Sequence, residues 1–306
     1  MPAEGIHLTA LREALAAPGL GPSARRRIVR DEDGARLGAL LVDLPYFDRY
    51  AGEVARYLLR RPARPSRWGT LLHDGGAVAL LTALLDEARA QATPLVGAIA
   101  LGLASHLAID RALHPLINAL ARAHPHGDHG SSHREVEKFQ SICFHEAYLG
   151  RDLMGHPGIS RHLAIRLTGE LARPALARPL VAAFHAAFAD APTVVELARF
   201  GRGYRTHAWL LGTPAGRRIA PPAAKEAARP RYLHGAWGAF ADHLAAAVTA
   251  SLPIIDAAAD VLDATTGDVA AAHAALARRL PPGTIDPAGD DVALTRRFVV
   301  ALPTAA

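Results

Sequence analysis

His106-Leu107-Ala108-Ile109-Asp110-Arg111-Ala112-Leu113-His114 sets three ionisable side chains at intervals of four inside the most apolar run of the chain. Ala and Leu dominate the surrounding residues 95–123, β-branched residues are sparse, and the spacing predicts one long helix there. Side chains four apart share a helix face, and each step of four turns the direction by about 40°. His106, Asp110 and His114 therefore form one polar stripe on an otherwise apolar helix. Burying three such groups among aliphatic neighbours is costly unless something compensates. A metal ion does so: His and Asp are good zinc ligands, and the ion neutralises the carboxylate.

Downstream, Ser132-His133-Arg134-Glu135 reads as a capping box that opens a new helix running to about Leu149. On it, His133 and Glu137 are again four apart. Three upstream residues complete a set of candidate ligands: His7 near the start of a first helix over 6–17, Asp43 just before Pro45, and His73 in Leu71-Leu72-His73-Asp74-Gly75-Gly76. The His- and Gly-rich loop 124–130 contains His124, His126, Asp128 and His129, which are alternative ligands, a lid or solvated groups. His145-Glu146 reads as a further layer behind Glu137.

In order and spacing these residues resemble the zinc-dependent phospholipases C of bacteria, whose fold is shared with single-strand-specific zinc nucleases. The resemblance spans residues 1–150, and its specific part is the His106/Asp110 and His133/Glu137 pairs. It implies an all-α, irregular multi-helix bundle with two to three Zn2+ ions. Asp43, His73, His106 and Asp110 would hold one ion. His7 and a bridging Asp110 would hold a second, and His114, His133 and Glu137 a third. The secreted members use an N-terminal Trp as a further ligand, which this chain lacks. Zinc lowers the pKa of bound water to about 7. The resemblance implies hydrolysis of a phosphodiester, with Asp43 orienting or deprotonating the attacking water. The implied partner is a phosphoester small molecule or a phospholipid head group. Arg111 reads as a phosphate partner or a solvated ion pair.

Length and composition are consistent with this. The 306 residues are 50% hydrophobic, enough for a large core. Residues 1–159 read as the metal-binding core, and 160–306 as a helical continuation or a C-terminal subdomain, with a loop at 212–230 as the best internal boundary. The net charge of +5 comes from scattered Arg, so there is no strong nucleic-acid signal. The lone Cys143, flanked by Ile142 and Phe144, excludes an internal disulfide and reads as a buried, inert thiol. The absence of a signal-like N-terminus and the charges within 94–120 lead to the expectation of a cytoplasmic protein with no transmembrane segment. Phe200, Tyr204, His207 and Trp209 read as one helical core face. Two other readings are an HD-type phosphohydrolase, in which His73-Asp74 is the metal-binding step, and a non-catalytic helical scaffold with a structural metal.

Overall fold

The computed structural model describes residues 4–284 except 60, 62, 63, 65, 126–128, 236 and 237. Its centre is helix α7, Pro94–Ala123, which starts with Pro at its first turn and is buried along most of its length. The helices before it are α1 (Glu4–Ala16), α2 (Pro22–Arg30), α3 (Glu32–Gly38), α4 (Tyr50–Leu58), α5 (Arg67–Leu71) and α6 (Ala77–Ala90). After it come α8 (His129–Leu149), α9 (Pro157–Leu163), α10 (Pro174–Phe188), α11 (Val194–Leu211), α12 (Pro222–Tyr232), α13 (Phe240–Asp263) and α14 (Val269–Arg279). The protein is all-α; the described residues add only a two-residue antiparallel pair, His234–Gly235 with Gly238–Ala239.

Helices α3, α6, α8 and α13 pack around α7, and α1 lies against α7 and α13. One apolar core runs from Ile6 to Leu280, so both halves of the chain build it. Helices α3 and α7 approach each other closely. A Cβ on Gly38 would lie 1.9 Å from the carbonyl oxygen of Ile99, and one on Gly102 would lie 1.9 Å from that of Ala35. Two facing glycines thus let the backbones touch, which brings the end of α3 against the middle of α7.

Several local expectations are corrected. The run 212–230 is not a loop: it holds a 3-10 turn, Pro214–Arg218, and then α12, where Pro222 begins an Ala-rich helix. Ser132 does not cap a helix, because α8 begins a turn earlier and Ser132 is buried within it. The capping box lies elsewhere, at Thr193 and Glu196. Trp209 leaves the core face: it is exposed, whereas Phe200, Tyr204 and His207 are buried.

The expectation of no transmembrane segment is also overturned. Three helical stretches, Arg67–Ala90, Pro94–Ala123 and Phe240–Asp263, are long and apolar enough to cross a membrane. The ionisable residues of α7 do not exclude a span, because such groups are tolerated in apolar helices when they pair with one another. In the fold, 89% of the α7 window is buried inside the protein.

Tyr204 fixes α11. Its hydroxyl donates to the carbonyl of Leu163 at 2.6 Å in a fully buried setting. Tyr204→Phe leaves that carbonyl unmet, and an urea titration is expected to show a loss of about 1–2 kcal/mol.

Candidate metal centre

Asp110 is the hub. Its Oδ1 lies 3.2 Å from Nε2 of His7 and 3.6 Å from Nε2 of His114; its Oδ2 lies 2.9 Å from Nε2 of His106. The interval of four does what the sequence implies within α7, placing His106, Asp110 and His114 on one face. His7 is contributed by α1, and its ring stacks on that of His106 with centroids 4.0 Å apart.

Two groups of side chains could hold a metal ion. One is His7, Asp43 and His106; the other is His114, His133 and Glu137. In the second, Oε1 of Glu137 lies 3.3 Å from Nε2 of His133 and 3.6 Å from Nε2 of His114. Ligands of one tetrahedral zinc, each about 2.0–2.1 Å from it, sit about 3.3 Å apart. The observed spacings match that pattern. The carboxylate of Asp110 stands between the two groups. His73 reaches the first group only through Asp43, Nε2 to Oδ1 at 3.5 Å.

The outer nitrogens strengthen the case. Nδ1 of His106 donates to the carbonyl of Ala39 at 2.8 Å, and Nδ1 of His73 to that of Gly69 at 2.9 Å. Nδ1 of His133 donates to Oδ1 of Asn118 at 2.9 Å. Each bond places the ring proton on Nδ1 and leaves the Nε2 lone pair turned towards carboxylates. A lone pair facing an anion is repulsive unless a cation, proton or metal, lies between them. The buried Nε2 of His106 makes no hydrogen bond of acceptable geometry despite its 2.9 Å approach to Asp110. The donor set thus fits a metal.

Without a metal, protons supply the charge. Burial opposes the imidazolium of His106, but the Asp110 and Asp43 carboxylates override it and raise its pKa from 6.5 to about 9. Burial likewise opposes ionised Asp110, yet His106, His114 and His7 hold its carboxyl well below the usual range. Asp43 is lowered too, against burial, by His73, His106 and His7, and His73 is raised in return by Asp43. The sign follows. A raised His contributes stability that is full below about pH 6.5 and is lost as pH rises through about 9. A depressed carboxyl contributes stability that is full above its ordinary pKa and is lost as pH falls through the depressed one. Chelated protein is therefore expected to melt highest near pH 5–6, roughly, and lower at pH 9. Added zinc should shift the optimum upward, because the ion competes with the proton. Differential scanning calorimetry from pH 4 to 10 checks both; a melting temperature that does not move between pH 6 and 9 would rule out the proton-filled cluster.

The elements explain the placement. Asp43 sits in the turn before the 3-10 helix Leu44–Phe47, which Pro45 starts. His73 lies in the wide turn Leu72–Gly76 between α5 and α6, where Gly75 takes φ 116°. A narrow void of about 20 Å³ touches His7, Asp110, His114, Glu137, Gln140 and Phe240, room for about one water or ion.

Other sequence candidates fall outside. Asp74 is exposed, which removes the second ligand of the HD-type step. His145 bonds Thr9 and the Ser141 carbonyl, and Glu146 pairs with Lys225 and Arg229, so neither backs Glu137. His124 packs edge-on against Tyr232. His126 and Asp128 lie outside the described residues, as does the His129 side chain. Cys143 is buried, and burial pushes its thiol up to about 11.

The reading of the sequence missed Asn118 and Glu4. Asn118 continues the α7 stripe by one more step of four, so the signal was present. Glu4 shares the face of His7 on α1 and is fully buried; burial first, and then the Asp43 and Glu137 charges, raise its carboxyl to about 7. The chain matches no protein-family model, no curated protein and no solved structure.

Proposed function

We propose that the chain is a zinc-dependent phosphoesterase of the phospholipase C type, hydrolysing a phosphodiester with water. The observation that carries the reading is the Asp110 carboxylate flanked by three histidine Nε2 atoms, with a second His/His/Glu group beside it. Zinc at such a centre supplies a Lewis acid for the phosphoryl oxygen and acidifies the attacking water. The rest falls to the protein. His7, Asp43 and His106 would hold the first ion and His114, His133 and Glu137 the second, with Asp110 beside both groups and His73 reinforcing Asp43. Asp43, kept ionised by its histidines, accepts a hydrogen bond from the attacking water and orients it.

Elemental analysis of protein purified without chelator tests this. Two or more zinc equivalents are expected in the wild type, with a clear loss in His106→Ala, and the loaded protein should cleave a chromogenic phosphodiester. No bound metal, and no uptake on zinc titration, would sink the reading. One observation favours a second reading, a structural metal in a non-catalytic scaffold: the void beside Asp110 is small and its lining is buried. Stoichiometric zinc with no turnover of any phosphoester would select it.

A further inference from the structure

Arg111 follows Asp110 on α7, and only 4% of it is exposed. Its Nη2 donates to the carbonyl of Gly283 at 3.1 Å. Its Nε and Nη1 are buried and meet no hydrogen-bond acceptor. Among the described residues it forms no ion pair. A buried guanidinium with no anion is strongly unfavourable, because desolvation is then unopposed. Any neutral side chain of similar length would fill the same space without that penalty. A fold that keeps the charge there has a use for it.

Its surroundings say what use. Gly283 is followed by Thr284, whose Oγ1 donates to the carbonyl of His73 at 2.9 Å. The Cβ position of Gly75 lies 3.2 Å from the Gly283 carbonyl carbon. The guanidinium therefore adjoins the turn that carries His73 towards Asp43, on the helix that carries Asp110. We propose that Arg111 is an oxyanion-binding residue beside the centre, its Nε and Nη1 taking oxygens of a phosphate group. A guanidinium offers a tetrahedral oxyanion two N–H donors in a fixed fork, which is the chemistry that Nε and Nη1 leave unused. The substrate class rests on the phosphoesterase reading; the anion site itself needs no metal.

The test uses the full chain, stripped with chelator, and inorganic phosphate as the probe. Melting temperature and calorimetric binding are read for the wild type, Arg111→Met and Arg111→Lys. Phosphate is expected to raise the wild-type melting temperature saturably. Arg111→Met should melt no lower than wild type in phosphate-free buffer, since it removes an unpaired buried charge. It should also bind phosphate at least about thirty-fold more weakly, with Arg111→Lys between the two. A wild type blind to phosphate, together with an Arg111→Met that melts lower, would make the arginine structural and overturn the proposal. Zinc content separates the two readings. Normal zinc without phosphate binding defeats the anion site alone, whereas phosphate binding through Arg111 without zinc supports the anion site and defeats the phosphoesterase.

Discussion

Asp110→Asn is expected to empty both metal groups at once, whereas Glu137→Gln is expected to empty only one. The geometry sets the difference. Asp110 touches histidines of both groups through its two oxygens, and Glu137 touches His114 and His133 alone. Loss of a mere outer partner costs roughly 10–100-fold in metal affinity, so loss of a shared carboxylate should exceed about 100-fold at each group. Asn keeps the volume and gives up the charge, so the fold has no cavity to fill. It also removes the larger of the two anions that sustain the His106 imidazolium, Asp43 being the other, and the chelated variant should lose most of the decline in stability between pH 6.5 and 9. Elemental analysis and isothermal titration with zinc give the stoichiometry. Equal losses in the two variants would show that Asp110 is not shared.

Gly102→Ala is the change expected to cost the most stability. A methyl group in mid-helix normally helps, by about 1 kcal/mol of backbone entropy. Here it would meet the Ala35 carbonyl oxygen at 1.9 Å, and backbone on both sides leaves nothing flexible to yield. Overpacking of this kind costs about 3 kcal/mol or more and decides the sign. Gly38→Ala, against the Ile99 carbonyl, should behave alike. The damage extends to the centre. Pushing α3 off α7 withdraws the Ala39 carbonyl from Nδ1 of His106, so its Nε2 is no longer fixed as a lone-pair donor. Circular dichroism melts should show a fall of several degrees, with weaker zinc uptake in whatever remains folded. A variant as stable as wild type would mean that the two helices do not touch in solution.

The helices were legible where periodicity and composition agreed, as along α7 and for the break at Gly75-Gly76. The α7 stripe was legible because helical spacing alone brings 106, 110 and 114 together. His7 and Asp43 could be named as candidates, but no spacing rule says that α1 stacks an imidazole on His106; that depends on tertiary packing. The regrouping of His7 with Asp43 and His106 has the same origin. Prolines misled at 212–230, since Pro at a first helical turn starts a helix as readily as it ends one. Arg111 reads from the sequence as a phosphate partner or a solvated ion pair, the second because charge predicts exposure on average; the covering chain at Gly283 comes from far along the sequence. The membrane expectation failed for a related reason, as hydropathy and length count apolar residues irrespective of what their few charges pair with.

All the candidate ligands lie within the first 137 residues, yet α13, which covers α7 and contributes Phe240 to the void, comes from the last quarter of the helical chain. Translation proceeds at roughly 5–20 residues per second. For several seconds, then, the nascent protein has all the candidate ligands while the apolar flank of α7 has no cover. Ions captured in that interval would tie α1 to α7 through the first group and α7 to α8 through the second before the covering helix exists, acting as a nucleus for folding; a chain made without them would expose that flank to aggregation.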